Sequence, residues 1–184
     1  MEDRELIESY LEGDEKAFEK LYEKYRMAVF NFIYSMVRNE EIANDIFQDV
    51  FIKVINGLSD YKDGNFKAWI FQISRNAVMD YLKSAKNKNY ALNIPLDEEI
   101  DGFSLKDILP SDETPEKKFI SEYESKRLYE ALDKLSDDYR EIIFLKHFSG
   151  LTFQEISDAI KVSIGTLLSR FKRAVEKLAE ILKE

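Results

Sequence analysis

Thr152-Phe153-Gln154-Glu155-Ile156 and, after a short break, Ser163-Ile164-Gly165-Thr166-Leu167 each open a helical pattern, and their reading decides the fold. Thr152 with Glu155 forms a capping box. The threonine hydroxyl accepts from the backbone N–H three residues on, and the glutamate reaches back to the N–H of Thr152. Ile156, Ala159 and Ile160 then share one face of a short helix. Lys161-Val162 breaks the pattern, and Ser163 is the N-cap of a second, longer helix. Leu167, Phe171, Ala174, Val175, Leu178 and Leu182 form its predicted inner stripe, while Thr166, Ser169, Arg170, Lys172, Arg173 and Lys177 lie outside or flank it. Two helices joined so tightly, the second longer and basic, read as a helix-turn-helix.

Working outward, the chain of 184 residues is 45% hydrophobic, enough for one domain or two small ones to bury a core. With no cysteine and one histidine there is no disulfide framework, and neither a thiolate nor a His-rich metal site. No metal and no cofactor are expected. The acidic start Met1-Glu-Asp-Arg-Glu5 is unlike a signal peptide, and no apolar run reaches membrane-spanning length. The expectation is a cytoplasmic protein without membrane insertion.

The net charge of −9 suits a nucleic-acid binder poorly until it is divided along the chain. Residues 1–23 carry a balance of −6 and residues 97–116 one of −7, whereas residues 62–90 carry +4 and residues 161–184 carry +3. Attraction to phosphate depends on the charge of the docking face, not on the total. Solvated helix faces would account for any one segment, but the two positive ones fall on the helices best suited to DNA. The acidic total predicts weak DNA binding by the isolated chain.

The pattern is helical nearly throughout. A short amphipathic helix over Asp3–Leu11 ends at Gly13, and Asp14 caps a long helix with Ala17, Phe18, Leu21, Tyr25, Val29, Phe32, Ile33 and Met36 at helical spacing. A helix over Glu40–Gly57 buries Ile46, Phe47, Val50 and Val54, with Leu58 just beyond it. A turn-rich loop from Ser59 to Asn65 leads into a helix from Phe66 to about Lys86. All three prolines, Pro95, Pro110 and Pro115, fall in the aperiodic acidic stretch that follows, and helical pattern resumes near Phe119. The expected fold is all-α: helical domains at 1–88 and 117–184, joined by an acidic linker at 89–116, the second domain holding the helix-turn-helix.

The 40–57 helix has a second face, on which Asp45, Gln48, Asp49 and Ile52 recur at helical spacing. Periodicity alone allows a docking surface for another protein's helix or an ordinary solvated face. On the helix from Phe66, Trp69, Ile70, Ile73, Ala77 and Tyr81 point inward. Gln72, Arg75, Asn76, Met79, Lys83 and Lys86 form a polar stripe that turns basic. With Tyr61, Phe66, Tyr81 and Tyr90 nearby, this suits a strand whose bases are unstacked and whose phosphates need neutralising. Trp69 is read as core.

Phe18-x-x-Leu21-Tyr22-x-x-Tyr25, Asp45-Ile-Phe-Gln48-Asp49-Val-Phe51 and Phe66-Lys-Ala-Trp69-Ile-Phe-Gln-Ile73-Ser-Arg-Asn76 with Asp80-Tyr81 resemble the first conserved domain of bacterial RNA polymerase sigma factors. Ala131-Leu-Asp-Lys-Leu135, Arg140, Glu155-Ile156, Gly165-Thr166, Ser169-Arg170 and Arg173-Ala174 resemble their last. Two domains with no folded domain between them resemble the extracytoplasmic-function group of the sigma-70 family. The resemblance implies that Asp45, Gln48, Asp49 and Ile52 grip core RNA polymerase. It implies that Tyr61, Lys62, Asn65, Arg75, Asn76 and Lys83 melt and hold the −10 element. It places Ser163, Thr166, Ser169, Arg170, Lys172 and Arg173 on the −35 element, the linker toward the polymerase active site, and an anti-sigma factor among the partners besides promoter DNA. Leu168 stands where the family usually has a basic residue, and leucine touches a thymine methyl but cannot donate to guanine. The lysine-based end of the −10 helix likewise offers point charges without a guanidinium fork.

A free-standing regulator with a sensing or dimerising first domain is the alternative, and it predicts a two-fold symmetric operator. No glycine-rich phosphate loop or nucleophile motif supports an enzyme.

Overall fold

The structure, a computed structural model, describes residues 2–62, 64–92 and 127–183, and these form helices and short turns with no strand among them. The N-terminal lobe holds α1 (Asp3–Leu11), α2 (Glu15–Val37), α3 (Glu40–Gly57), a single 3-10 turn at Leu58–Asp60 and α4 (Phe66–Leu92). The C-terminal lobe holds α5 (127–133), α6 (Asp137–Ile143), a π turn (Phe144–Phe148), α7 (Phe153–Ile160) and α8 (Ile164–Ile181). The linker beyond Leu92 and the resumption of helix at Phe119 lie outside the described residues. Backbone helix continues to Leu92, past the end expected near Lys86.

Short polar side chains set the helix starts. Asp14 accepts from the Lys16 N–H at 3.1 Å, Asn39 from the Ile42 N–H at 2.9 Å, and Asn65 from the Ala68 N–H at 3.0 Å. α1 is pinned to α2 by Asp3, whose carboxylate accepts from the Tyr25 hydroxyl and pairs with Lys24. Arg38 closes α2 in the left-handed region, at φ 58°, without a glycine.

Packed around α2, the N-terminal core contains Leu21, Val29, Phe32, Ile33, Val50, Val54, Leu58, Ile70, Phe71 and Val78, all essentially buried. On α3 Phe51 takes a core place, and the expected Phe47 is half-buried against the Tyr22, Phe30 and Phe51 rings. The buried face of α4 centres on Ile70, Phe71, Ser74, Ala77 and Val78, so Trp69, Ile73 and Tyr81 are only half-buried. This burial is wider than one stripe because α4 packs on α2 and α3 and also on α7 of the other lobe. Ser74 resolves its own burial by donating to the Ile70 carbonyl at 2.7 Å. Trp69 lies across Gly57, where a Cβ would come within 3.0 Å of the indole, so α3 and the aromatic ring approach closely only because Gly57 has no side chain.

In the C-terminal lobe, Arg140 is buried and its guanidinium donates to the carbonyls of Leu132 (3.1 Å), Asp133 (2.8 Å) and Leu135 (3.0 Å). It thereby satisfies the free carbonyls at the end of α5. Burial lowers its pKa, partly offset by Asp137. Leu132, Ile142, Leu145, Leu151, Ile156, Leu167 and Ala174 fill the core beside it. Val175, expected inside, is 44% exposed. It sits at the edge of the stripe defined by Leu167 and Ala174. Phe171, against the Phe153 ring of α7, and Leu178 and Leu182 are half-buried.

The two lobes pack together: α4 lies on α7, and α2 on α6 and the π turn, so one apolar cluster runs through both. Arg38 pairs with Asp133 across this second contact.

Candidate polymerase and promoter interfaces

Three surfaces follow from the placement of the candidate residues. On α3, Asp45, Gln48, Asp49 and Ile52 are all exposed, and Ile52 is 55% so. The opposite face, Ala43, Ile46, Val50 and Val54, is in the core, which fixes the direction of the exposed four. None of the four makes an ion pair among the described residues. Carboxylates around an exposed isoleucine suit a protein partner with an apolar centre and cationic margins.

The second surface is α4 and the loop before it. Tyr61 is half-buried, with its ring 5.8 Å from Phe66 and 4.9 Å from Trp69. Lys62, Asn76 and Lys83 face solvent. Asn65 is exposed too but, like the half-buried Arg75, it is engaged by the C-terminal lobe. The Arg75 guanidinium donates to Glu141 at 2.7 Å, and the Asn65 amide donates to Glu155. Beside them, Lys67 donates to the Gly150 carbonyl at 3.1 Å. Carboxylates and a carbonyl thus take the donors that would serve phosphates and bases.

Glu141 is 1% exposed, and burial raises its pKa, with the Arg75 cation pulling the other way. For Glu155, the desolvation that would raise it is outweighed by bonds from Thr152 and Asn65, which hold it below its usual range. Neither acid was singled out as an interface group in the sequence. Glu155 was legible only as a cap. Glu141 left one signal, a carboxylate beside the buried run Ile142 to Leu145.

The third surface is the helix-turn-helix. Both bonds of the capping box are present, with the Glu155 N–H donating to Thr152 Oγ1 at 3.2 Å and the Thr152 N–H donating back. Lys161 closes α7 at φ 58°, and Ser163 accepts from the Thr166 N–H at 3.3 Å to start α8. Ser163, Thr166, Ser169, Lys172 and Arg173 are exposed along one side of α8. Arg170 is turned away from them, toward α6, and stands 3.6 Å from Asp138. Among the described residues, no helix is long and apolar enough to cross a membrane.

A helix-turn-helix with an exposed basic face, tied to a lobe with a separate acidic and apolar face, defines a class: factors that join DNA to a larger protein assembly. The comparisons with known proteins make the class specific. The chain matches the family description Sigma-70 region 2 over residues 21–88 and Sigma-70, region 4 over residues 125–178. It is 31% identical over 180 residues to the RNA polymerase sigma factor CarQ of Myxococcus xanthus, spanning 97% of this chain and 96% of that one. It is 26% identical over 183 residues to the RNA polymerase sigma-H factor of Pseudomonas aeruginosa, spanning 99% of this chain and 94% of the other. Among solved structures, the sigma factor RpoE of Bartonella quintana in complex with the anti-sigma factor NepR superposes with a TM-score of 0.75 at 25% identity, covering 91% of this chain and 98% of that one. The chain belongs to the sigma-70 family of RNA polymerase sigma factors, in the extracytoplasmic-function group.

Proposed function

We propose that the N-terminal lobe, residues 1–88, docks on core RNA polymerase through Asp45, Gln48, Asp49 and Ile52. The same lobe captures the opened −10 strand with Tyr61, Lys62, Asn76 and Lys83, joined by Asn65 and Arg75 once the C-terminal lobe releases them. The C-terminal lobe, residues 117–184, reads the −35 element in the major groove with Ser163, Thr166, Ser169, Arg170, Lys172 and Arg173, Arg170 standing beside Asp138 of α6 in the free chain. The acidic segment 89–116 joins the two. The chain acts by binding energy and not by catalysis: it directs core polymerase to promoters, and unstacked bases are captured as they emerge. A cytoplasmic location and an anti-sigma partner, of the kind bound by the Bartonella relative, go with this reading.

The observation that carries it is the coexistence on one chain of the exposed α3 face and the free face of a capped α8. The test is open-complex formation by purified core polymerase on a genomic promoter library, with and without this chain. Promoters opened only when the chain is present are expected, and an unchanged set of open promoters would refute the reading. At single-residue level, Arg173→Ala is expected to cost about 1–3 kcal/mol in −35 recognition, concentrated on particular sequences. A uniform loss on all promoters that high salt abolishes would demote Arg173 to a phosphate contact.

A further inference from the structure

Charge alone does not explain the first two turns of α8. Ile164 and Leu168 are 37% and 48% exposed, and they stand one helical turn apart on one edge of the helix. A single exposed leucine needs no explanation. These two are neighbours, however, and the other exposed side chains of those turns, Thr166 and Ser169, are polar. Gly165 lies between the apolar edge and Ser169, and a Cβ built there meets nothing within 4 Å. Nothing inside the protein therefore requires a glycine. Bare backbone beside an apolar edge suits a surface that another molecule approaches closely.

The occupant that fits is duplex DNA. The edge is continuous with the cations Lys172 and Arg173, and it lies at the N-terminal end of the second helix of a helix-turn-helix, the part that meets base edges. In the major groove the apolar feature of a base edge is the thymine 5-methyl group, the other groups being hydrogen-bond donors and acceptors that leucine cannot satisfy. We propose that Leu168, backed by Ile164, packs on a thymine methyl, so that this chain selects −35 elements with thymine at the position facing Leu168. The inference rests on the −35 role of α8 proposed above.

It is tested with holoenzyme assembled from core polymerase and the full chain, offered duplex promoters whose −35 segment is randomised. The sequences retained in open complexes are expected to be enriched in thymine at one position. Exchanging that thymine for deoxyuridine, which lacks only the methyl, is expected to lower occupancy about fourfold, the worth of one buried methyl. Leu168→Ala is expected to make thymine and deoxyuridine equivalent, and Leu168→Arg to move the preference at that position to guanine. Both changes are at a half-exposed side chain, so the fold is not at stake. A retained pool without thymine enrichment, or a deoxyuridine penalty that survives Leu168→Ala, overturns the assignment while leaving the sigma-factor function intact. Absence of any open complex with the unmodified chain overturns both.

Discussion

A chain carrying Gln48→Ala together with Asp49→Ala is expected to bind core RNA polymerase about 30- to 100-fold more weakly, the loss produced by one or two energetically dominant interface residues. The two side chains are exposed on α3 and point away from the core face of Ala43, Ile46, Val50 and Val54. Their removal therefore leaves thermal unfolding of the free chain within about 0.5 kcal/mol of the unmodified protein. That separation makes the experiment clean, since folding and docking are carried by opposite sides of one helix. Competition for core polymerase against a labelled reference sigma factor reads the affinity directly. DNA binding by the isolated chain is expected to stay as it was. Normal competition by the doubly changed chain would mean that the α3 face has been misassigned.

Reversing the charge of Glu141 is expected to part the two lobes. Glu141 is 1% exposed and 2.7 Å from the Arg75 guanidinium, so Glu141→Lys puts two cations in one desolvated site. Breaking a buried pair by removing one partner already costs about 3–5 kcal/mol, enough to shift a closed-to-open equilibrium by more than about 100-fold. The radius of gyration from solution scattering is expected to increase. Affinity for a single-stranded −10 oligonucleotide is expected to rise, because Arg75 and Asn65 are released together. Circular dichroism distinguishes opening from unfolding, since helix content is retained in the first case only. Combining Glu141→Lys with Arg75→Glu restores an opposite-charge pair and is expected to restore compactness. Should Glu141→Lys leave the chain as compact as before, the apolar contact of α2 with α6 and the π turn, not the ion pair, holds the lobes.

What the sequence could and could not express follows the range of each interaction. The helix-turn-helix was legible because its determinants are local: Thr152 with Glu155 and Ser163 with Thr166 each act over three residues. The exposed set on α3 was legible because helical period alone places Asp45, Gln48, Asp49 and Ile52 together. Packing of the lobes was not, since Arg75 and Glu141 are 66 residues apart and Asn65 and Glu155 are 90. Periodicity can say that a face is covered but not by what. It places Arg75, Asn65 and Arg170 on candidate DNA faces and does not show that Glu141, Glu155 and Asp138 stand beside them. Val175 lies at the edge of the apolar stripe of α8, and helical period does not say how wide the covered face is.

The grip of Arg140 on three carbonyls has a mechanical consequence. It welds the corner between α5 and α6, and α8 packs on α6 beside it. A promoter whose two elements lie one base pair further apart displaces the −35 site by about 3.4 Å along the axis and rotates it around the duplex. Such a mismatch is expected to be met by swinging α5 and α6 together, since the corner between them is tied.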